Sequence, residues 1–189
     1  MLKKNIFAVA FVLGTAFLSA HASAESYMGA SLGRAKWNVN CAGATGCHTA
    51  AASAKFFGGY EINRYFGLEG GYVYMNEVSA NDSMLKAAFN ARGVDFAAVV
   101  KTPAYADFTG FAKLGTAFMK GEIFATAGGF QGSETHYSSQ PLGALGVTYQ
   151  FDKKMSLRAE VDYRKVKVSS FKDTTYGATT FSLGFQSEF

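Results

Sequence analysis

The stretch that decides the fold is MSLRAEVDY, Met155 to Tyr163. Every second position carries a charge: Arg158, Glu160 and Asp162. The positions between are apolar: Leu157, Ala159 and Val161. A period of two indicates a β-strand with one charged face and one apolar face, because successive side chains point to opposite sides of a strand. The pattern leaves open which of the two faces points inward.

The same alternation recurs along the chain and predicts about eight strands. Apolar side chains repeat at every second position in each segment, and the opposing positions are mainly glycine, alanine, serine, threonine or charged residues. The segments are residues 27–37, 55–62, 66–75, 94–101, 108–118, 142–151, 155–163 and 180–189. Eight strands are the number in the smallest outer-membrane barrels.

The predicted connections alternate between short and long. Tight links are expected near Asn63, Pro103 and Asp152. The other connections are long and polar, at residues 38–52, 78–90, 120–140 and 165–178. Short turns at one end and long loops at the other are typical of antiparallel barrels in the bacterial outer membrane. The fold class predicted is therefore all-β, an eight-stranded antiparallel transmembrane β-barrel.

The composition is compatible with a membrane barrel. Charged residues are 17% of the chain and aromatic residues 15%, whereas soluble domains carry about 25% charged residues. Beyond the N-terminus no apolar run approaches the roughly 18 residues of a membrane helix. Composition alone leaves two classes open, an ordinary β protein and a membrane protein whose apolar residues alternate along strands.

Two features of the strand faces favour the membrane protein. Aromatic side chains lie on the apolar faces toward strand ends, as in the interfacial girdles of membrane barrels: Tyr60, Tyr72, Tyr74, Tyr149, Tyr163 and Phe189. The opposite faces are rich in small residues, which suit a narrow lumen filled by side chains. The apolar faces are therefore predicted to contact lipid, and the charged faces to line the interior.

This orientation predicts a cluster of ion pairs inside the barrel. The carboxylate of Glu69 and the cations Lys113 and Arg158 would meet across the lumen, with Glu160 beside them. Such a cluster can act as a structural plug, or as a gate in a conducting path because lumen charges tune permeation. Both readings remain open at this point.

The N-terminus has the features of a secretory signal peptide covering residues 1–24. A short basic start precedes the apolar stretch Ile6–Leu18, and the small residues of Ala22-Ser23-Ala24 provide a cleavage site before Glu25. A retained membrane anchor is the alternative. The barrel then occupies residues 25–189. The net charge of +4 falls to +2 without Lys3 and Lys4, which does not suggest a nucleic-acid binder.

The only two cysteines, Cys41 and Cys47, occur close together in CAGATGC. An exported chain meets an oxidising compartment, so a disulfide that stiffens this polar loop is expected. A metal site that also recruits His48 is the alternative, but two cysteines and one histidine at this spacing match no zinc pattern. We therefore predict no metal and no cofactor.

Several segments resemble the transmembrane domain of OmpA-like outer-membrane proteins: FFGGYEINRYFGLEGGYVY, FAKLG, GVTYQF, LRAEVDY and SLGFQSEF. The resemblance extends from about Tyr27 to Phe189 and implies turns in the periplasm and loops outside the cell. It also implies insertion by the barrel-assembly machinery, which reads a C-terminal strand ending in phenylalanine, here Phe189. Ser187 stands where the family usually has an aromatic residue.

The resemblance also assigns roles to lumen residues. The interior ion-pair cluster of the family maps onto Glu69 and Arg158, with Lys113 and Glu160 at further charged positions. A second lysine–glutamate pair of the family is absent, because Val99 and Thr148 occupy its places. The departure puts a carried-over gating switch in doubt.

Three functions are compared. The first is a structural outer-membrane barrel whose loops contact host cells or phage and whose wall contacts lipid and lipopolysaccharide. The second is a small passive or gated pore. The third is a lipid-modifying enzyme, which would need an oriented nucleophile and base; the candidates His136, Ser138 and Ser139 fall in a predicted outer loop, where a solvated histidine is expected. The first reading, with no enzymatic activity, is preferred.

Overall fold

The computed structural model describes residues 25–38, 46–47, 49–81, 85–127, 130–169 and 174–189. The predicted signal peptide, Cys41 and His48 lie outside these residues, and only the backbone of Cys47 is described. The predicted disulfide therefore stays a prediction. Within the described residues no helix is long and apolar enough to cross a membrane.

The described residues form one antiparallel barrel. The strands are β1 (Ser26–Trp37), β2 (Gly46–Cys47), β3 (Ala50–Asn63), β4 (Phe66–Asn81), β5 (Leu85–Lys101), β6 (Phe108–Ala127), β7 (Phe130–Asp152), β8 (Met155–Ser169) and β9 (Thr174–Glu188). Eight of them pair in the order β4-β3-β1-β9-β8-β7-β6-β5, and β5 pairs with β4 to close the ring. The two-residue β2 adds to the end of β4. The prediction of an eight-stranded antiparallel barrel is confirmed.

Tight connections occur at one end, as predicted near Asn63, Pro103 and Asp152. In the β3–β4 turn, Oδ1 of Asn63 accepts hydrogen bonds from the backbone N–H groups of Tyr65 at 2.9 Å and Phe66 at 3.0 Å. This side-chain mimicry of a backbone turn is a common role of asparagine. At the opposite end, the strand pairs β4–β5, β6–β7 and β8–β9 run much further than expected into three of the four predicted long loops.

Three of the predicted long loops are wrong in extent. The segment 78–90 is mostly strand, since β4 continues to Asn81 and β5 begins at Leu85. The segment 120–140 is likewise mostly strand, with β6 continuing to Ala127 and β7 starting at Phe130. The segment 165–178 is also mostly strand, with β8 continuing to Ser169 and β9 starting at Thr174. A ladder satisfies backbone polar groups whatever side chains it carries, so strands persist where the apolar alternation fades.

The orientation of the faces is that predicted from the sequence. On β8, the side chains of Leu157 and Val161 are 42% and 43% exposed, whereas Arg158 and Glu160 are each 4% exposed. On β6, the outward positions from Phe108 to Phe118 are uncharged and mostly apolar. A rise of about 3.4 Å per residue and a tilt of about 40° give this stretch a height of about 26 Å, which matches the apolar band of an outer-membrane barrel.

The part of the lumen nearest the long hairpins is apolar, which the sequence reasoning did not anticipate. Met75 and Met119 are buried there, and Leu142 and Val166 pack in the same cluster. Trp37 meets Phe89 edge to face, with ring centroids 4.8 Å apart. The interior therefore has two parts, which we call the ionic layer and the apolar layer. The ionic layer lies within the membrane band, and the apolar layer lies above it, nearer the long hairpins.

Candidate functional site: a buried ionic layer

The ionic layer comprises all the described charged side chains that are buried in the lumen. Their charges balance, with four cations and four carboxylates, so the layer is neutral. They come from five strands: Lys55 on β3, Glu69 on β4, Asp95 on β5, Lys113 on β6, and Arg158, Glu160, Asp162 and Arg164 on β8. Period two on β8 puts four of them on one face, which explains the MSLRAEVDY pattern.

Glu69 receives donors from three strands. Nζ of Lys113 lies 2.8 Å from Oε1, and Nη2 of Arg158 lies 2.8 Å from Oε2. The hydroxyl of Tyr27 on β1 also donates to Oε2 at 3.0 Å. Charge-assisted hydrogen bonds of this kind are about twice as strong as neutral ones. Glu69 thus ties β4 to β1, β6 and β8.

Glu160 is the second acceptor and shares two of the same donors. Its Oε2 accepts from Nζ of Lys113 at 2.6 Å and from Nη2 of Arg158 at 2.8 Å, and its Oε1 accepts from Nζ of Lys55 at 3.2 Å. The structure therefore brings together all four residues that the sequence placed in the lumen cluster. It adds Lys55 and Tyr27 to them.

The guanidinium of Arg158 lies between two aromatic rings. Its Cζ is 4.4 Å from the centroid of Phe57 and 4.2 Å from that of Phe111. Nη1 also donates to Oε1 of Gln186 on β9 at 3.1 Å. A planar guanidinium can stack and hydrogen-bond at once, which the ammonium of a lysine cannot.

Arg164 extends the layer toward the apolar layer. Its Nη2 lies 2.8 Å from Oδ1 of Asp162, and its Nη1 lies 3.0 Å from Oδ1 of Asp95. Nζ of Lys55, 3.7 Å from Oδ2 of Asp95, connects this group to Glu160. The charges form one continuous network, and the arrangement satisfies most of the lone pairs and N–H groups that burial would otherwise leave unpaired.

The sequence reasoning did not name Lys55 or Arg164 as members of the cluster. Both lie an even number of residues from positions assigned to the lumen on the same strand, so the period-two pattern could have placed them inside. Which lumen residues meet depends on the stagger between strands, however, and the sequence alone does not give that stagger. At the places of the absent family pair, Val99 is buried, and Oγ1 of Thr148 donates to the carbonyl of Thr109 at 3.3 Å.

The remaining predicted positions are placed as follows. His136 lies on β7 rather than in a solvated loop, and its Nε2 is 3.0 Å from Oε1 of Glu134. Phe189 is exposed to the outside, and its backbone exchanges hydrogen bonds with Ser26 at 2.9 and 3.3 Å. No group of three or more potential ligand side chains that could hold a metal occurs in the described part of the chain.

Solved structures share this architecture. Neisserial surface protein A aligns with a TM-score of 0.67 and 16% identity, over 89% of this chain and 100% of that chain. Ail, the attachment invasion locus protein of Yersinia pestis, in complex with the heparin analogue sucrose octasulfate, aligns with a TM-score of 0.60 and 15% identity, over 89% of this chain and 100% of that chain. At these identities the likeness concerns the fold.

Sequence relatives define the family. Outer membrane protein A of Serratia marcescens is 29% identical over 100% of this chain and 56% of its own length. Outer membrane protein A of Escherichia coli O157:H7 is 27% identical over 86% of this chain and 47% of its own length. The chain thus spans about half the length of these relatives. The model of the OmpA-like transmembrane domain matches residues 21–184, so the chain belongs to the OmpA-like transmembrane domain family and is a protein of the bacterial outer membrane.

Proposed function

We propose that the chain is a non-catalytic, structural barrel of the outer membrane whose strand extensions contact molecules outside the cell. The observation that carries the proposal is the filled interior. Arg164 is 0% exposed within the ionic layer, and Met75 is 0% exposed in the apolar layer next to it. Ions would have to cross both layers, and ordered ion pairs followed by an apolar constriction oppose the passage of water and ions.

The pore alternative is tested by planar-bilayer recording. Purified wild-type barrel is expected to give no single-channel steps at neutral pH, because the neutral ionic layer leaves no free charge to coordinate a passing ion. The variants Glu69→Ala and Arg158→Ala are recorded in parallel after their folding has been checked by heat-modifiable gel mobility. If wild-type protein gives single-channel steps and either substitution abolishes them, the gated pore replaces the structural proposal.

Surface contact is supported by the extended hairpins. Strands β4 to β7 continue well beyond the point where the β7–β8 ladder begins, at Leu142. Side chains on this extension are polar and exposed, including Ser133 and Thr135, and Tyr137 is 76% exposed. Such a surface suits contacts with host cells or phage, and the similarly folded Ail structure contains a bound heparin analogue.

We also propose that the barrel-assembly machinery inserts this chain through its last strand, β9, and through Phe189, which directly follows it. The ring of Phe189 is 51% exposed on the lipid side, so it contributes little to packing in the finished barrel.

Phe189→Ala is therefore expected to slow assembly several-fold in cells while leaving detergent-refolded protein as stable as wild type. Pulse–chase assembly assays and urea unfolding measure the two effects. Leu183→Ala, at another exposed apolar position on β9, serves as the matched control. Equal assembly rates for Phe189→Ala and wild type would remove the assembly role.

A further inference from the structure

Two outward-facing cations lie just beyond the apolar band, next to each other on neighbouring strands. Arg92 on β5 is paired in register with Lys120 on β6. Arg92 is the next outward position beyond Val94 on β5, and Lys120 is the next outward position beyond Phe118 on β6, both toward the hairpin end of the barrel. An outward cation is costly at the bilayer midplane and nearly neutral at the interface. Arg92 and Lys120 therefore mark the level of the lipid headgroups at the hairpin end of the barrel.

The outward face below them is uncharged. On the described strands, outward positions between the two aromatic girdles carry no charged side chain. On the opposite side of the barrel, exposed cations also sit toward the extracellular strand ends, at Arg34, Lys36 and Lys165. The cations are thus concentrated where an anionic headgroup layer would meet the barrel wall.

Arg92 and Lys120 border a groove of about 870 Å³ on the outer wall. Its lower part is apolar, with Val94 and Phe118, and Tyr72 and Tyr137 flank it. Nζ of Lys120 lies 5.9 Å from the ring centroid of Tyr137. The groove therefore offers an apolar wall for acyl chains directly below two cationic donors, in a setting where tyrosine is favoured because it is amphipathic.

The local charge favours an anion. Glu122 contacts both cations, at 3.4 Å from Nη2 of Arg92 and at hydrogen-bonding distance from Lys120. One carboxylate against two cations leaves a net positive charge, and the side chain of Arg92 remains 46% exposed. The N–H groups of Arg92 that do not contact Glu122 can bind phosphate oxygens, for which the guanidinium fork is well suited.

We infer that Arg92 and Lys120 form a binding site for a phosphate of the outer-leaflet glycolipid, the lipid A part of lipopolysaccharide, whose acyl chains lie along Val94 and Phe118. The inference rests on the proposed structural role in the outer membrane and on the lipopolysaccharide contact expected from the sequence. The glycolipid would come from the outer leaflet, because the groove lies at the end of the barrel with the long hairpins, opposite the tight periplasmic turns.

The test is native mass spectrometry of the purified barrel in detergent with bisphosphorylated lipid A. Cations at the interface attract anionic lipid, so the double variant Arg92→Gln/Lys120→Gln is expected to lower the affinity for lipid A at least about tenfold. The matched control Lys153→Gln/Lys154→Gln removes two cations from the β7–β8 turn at the opposite end. It is expected to bind lipid A as wild type does.

Two further probes separate the possible outcomes. Dephosphorylated lipid A is expected to bind as weakly to wild type as lipid A binds to the double variant, and phosphatidylglycerol is expected to compete poorly. Equal loss in the control variant, undiminished binding of dephosphorylated lipid A, or full competition by phosphatidylglycerol would each overturn the site. Wild-type protein that binds no lipid A at all would overturn the lipopolysaccharide contact itself.

Discussion

Replacing Arg158 with methionine is expected to destabilise the folded barrel by about 3–5 kcal/mol, the typical cost of removing one partner from a buried ion pair. The substitution leaves Glu69 and Glu160 without a shared guanidinium, although Lys113 still contacts both. It also removes the cation that stacks between Phe57 and Phe111. Urea unfolding from lipid vesicles, followed through the fluorescence of the only tryptophan, Trp37, measures the loss.

Two further variants isolate the contribution of the buried charge to the free energy of unfolding. Arg64→Met, in the exposed β3–β4 turn, is expected to change the free energy of unfolding by no more than about 0.5 kcal/mol. Adding Glu160→Gln to Arg158→Met is expected to recover part of the loss, because fewer uncompensated charges then remain in the lumen. A loss below about 1 kcal/mol for Arg158→Met would mean that the ionic layer does not stabilise the fold.

Replacing Gly146 with alanine is expected to cost about 2–3 kcal/mol, near the upper range for overpacking a filled interior. A Cβ at this lumen position would lie 2.5 Å from the carbonyl oxygen of Ala159 and 2.8 Å from Cε1 of Phe111. The Phe111 ring cannot retreat freely, because it stacks on Arg158 at 4.2 Å. The carbonyl belongs to the β7–β8 ladder and is equally constrained.

Gly143 provides the control on the same strand. It faces outward, and the nearest atom to an added Cβ is the carbonyl oxygen of Lys113 at 4.0 Å. Gly143→Ala is expected to be neutral or slightly stabilising, since alanine loses less backbone entropy than glycine on folding. The same urea assay compares the two variants, and similar free energies of unfolding for both would contradict the steric argument.

The orientation of the barrel could be predicted from sequence because side-chain alternation is a local property of every strand. Arg158, Glu160 and Asp162 needed only their spacing to be placed inside. The contacts of Lys55 with Glu160, or of Arg164 with Asp95, could not be predicted the same way. They depend on how far each strand is shifted against the next, and that shift is fixed by the closed ring as a whole.

The two other departures from expectation have related causes. Trp37 and Met75 lie on faces read as polar, and Met119 lies just beyond the predicted strand segment 108–118. An isolated apolar residue at a lumen position gives no signal of its own until its neighbours are known. The long hairpins, such as β6 to Ala127, were read as loops because alternation weakens beyond the membrane. Pairing there depends on backbone hydrogen bonds, which no side-chain pattern reports.

The ionic layer also bears on how the chain can enter the membrane. Glu69 finds donors on β1, β6 and β8, and Arg158 reaches Gln186 on β9, almost at the last residue. A hairpin delivered into lipid by itself would carry these charges without their counterions. Insertion one hairpin at a time is therefore energetically unfavourable, and strands should cross the bilayer together as the sheet curls shut, in a single concerted event.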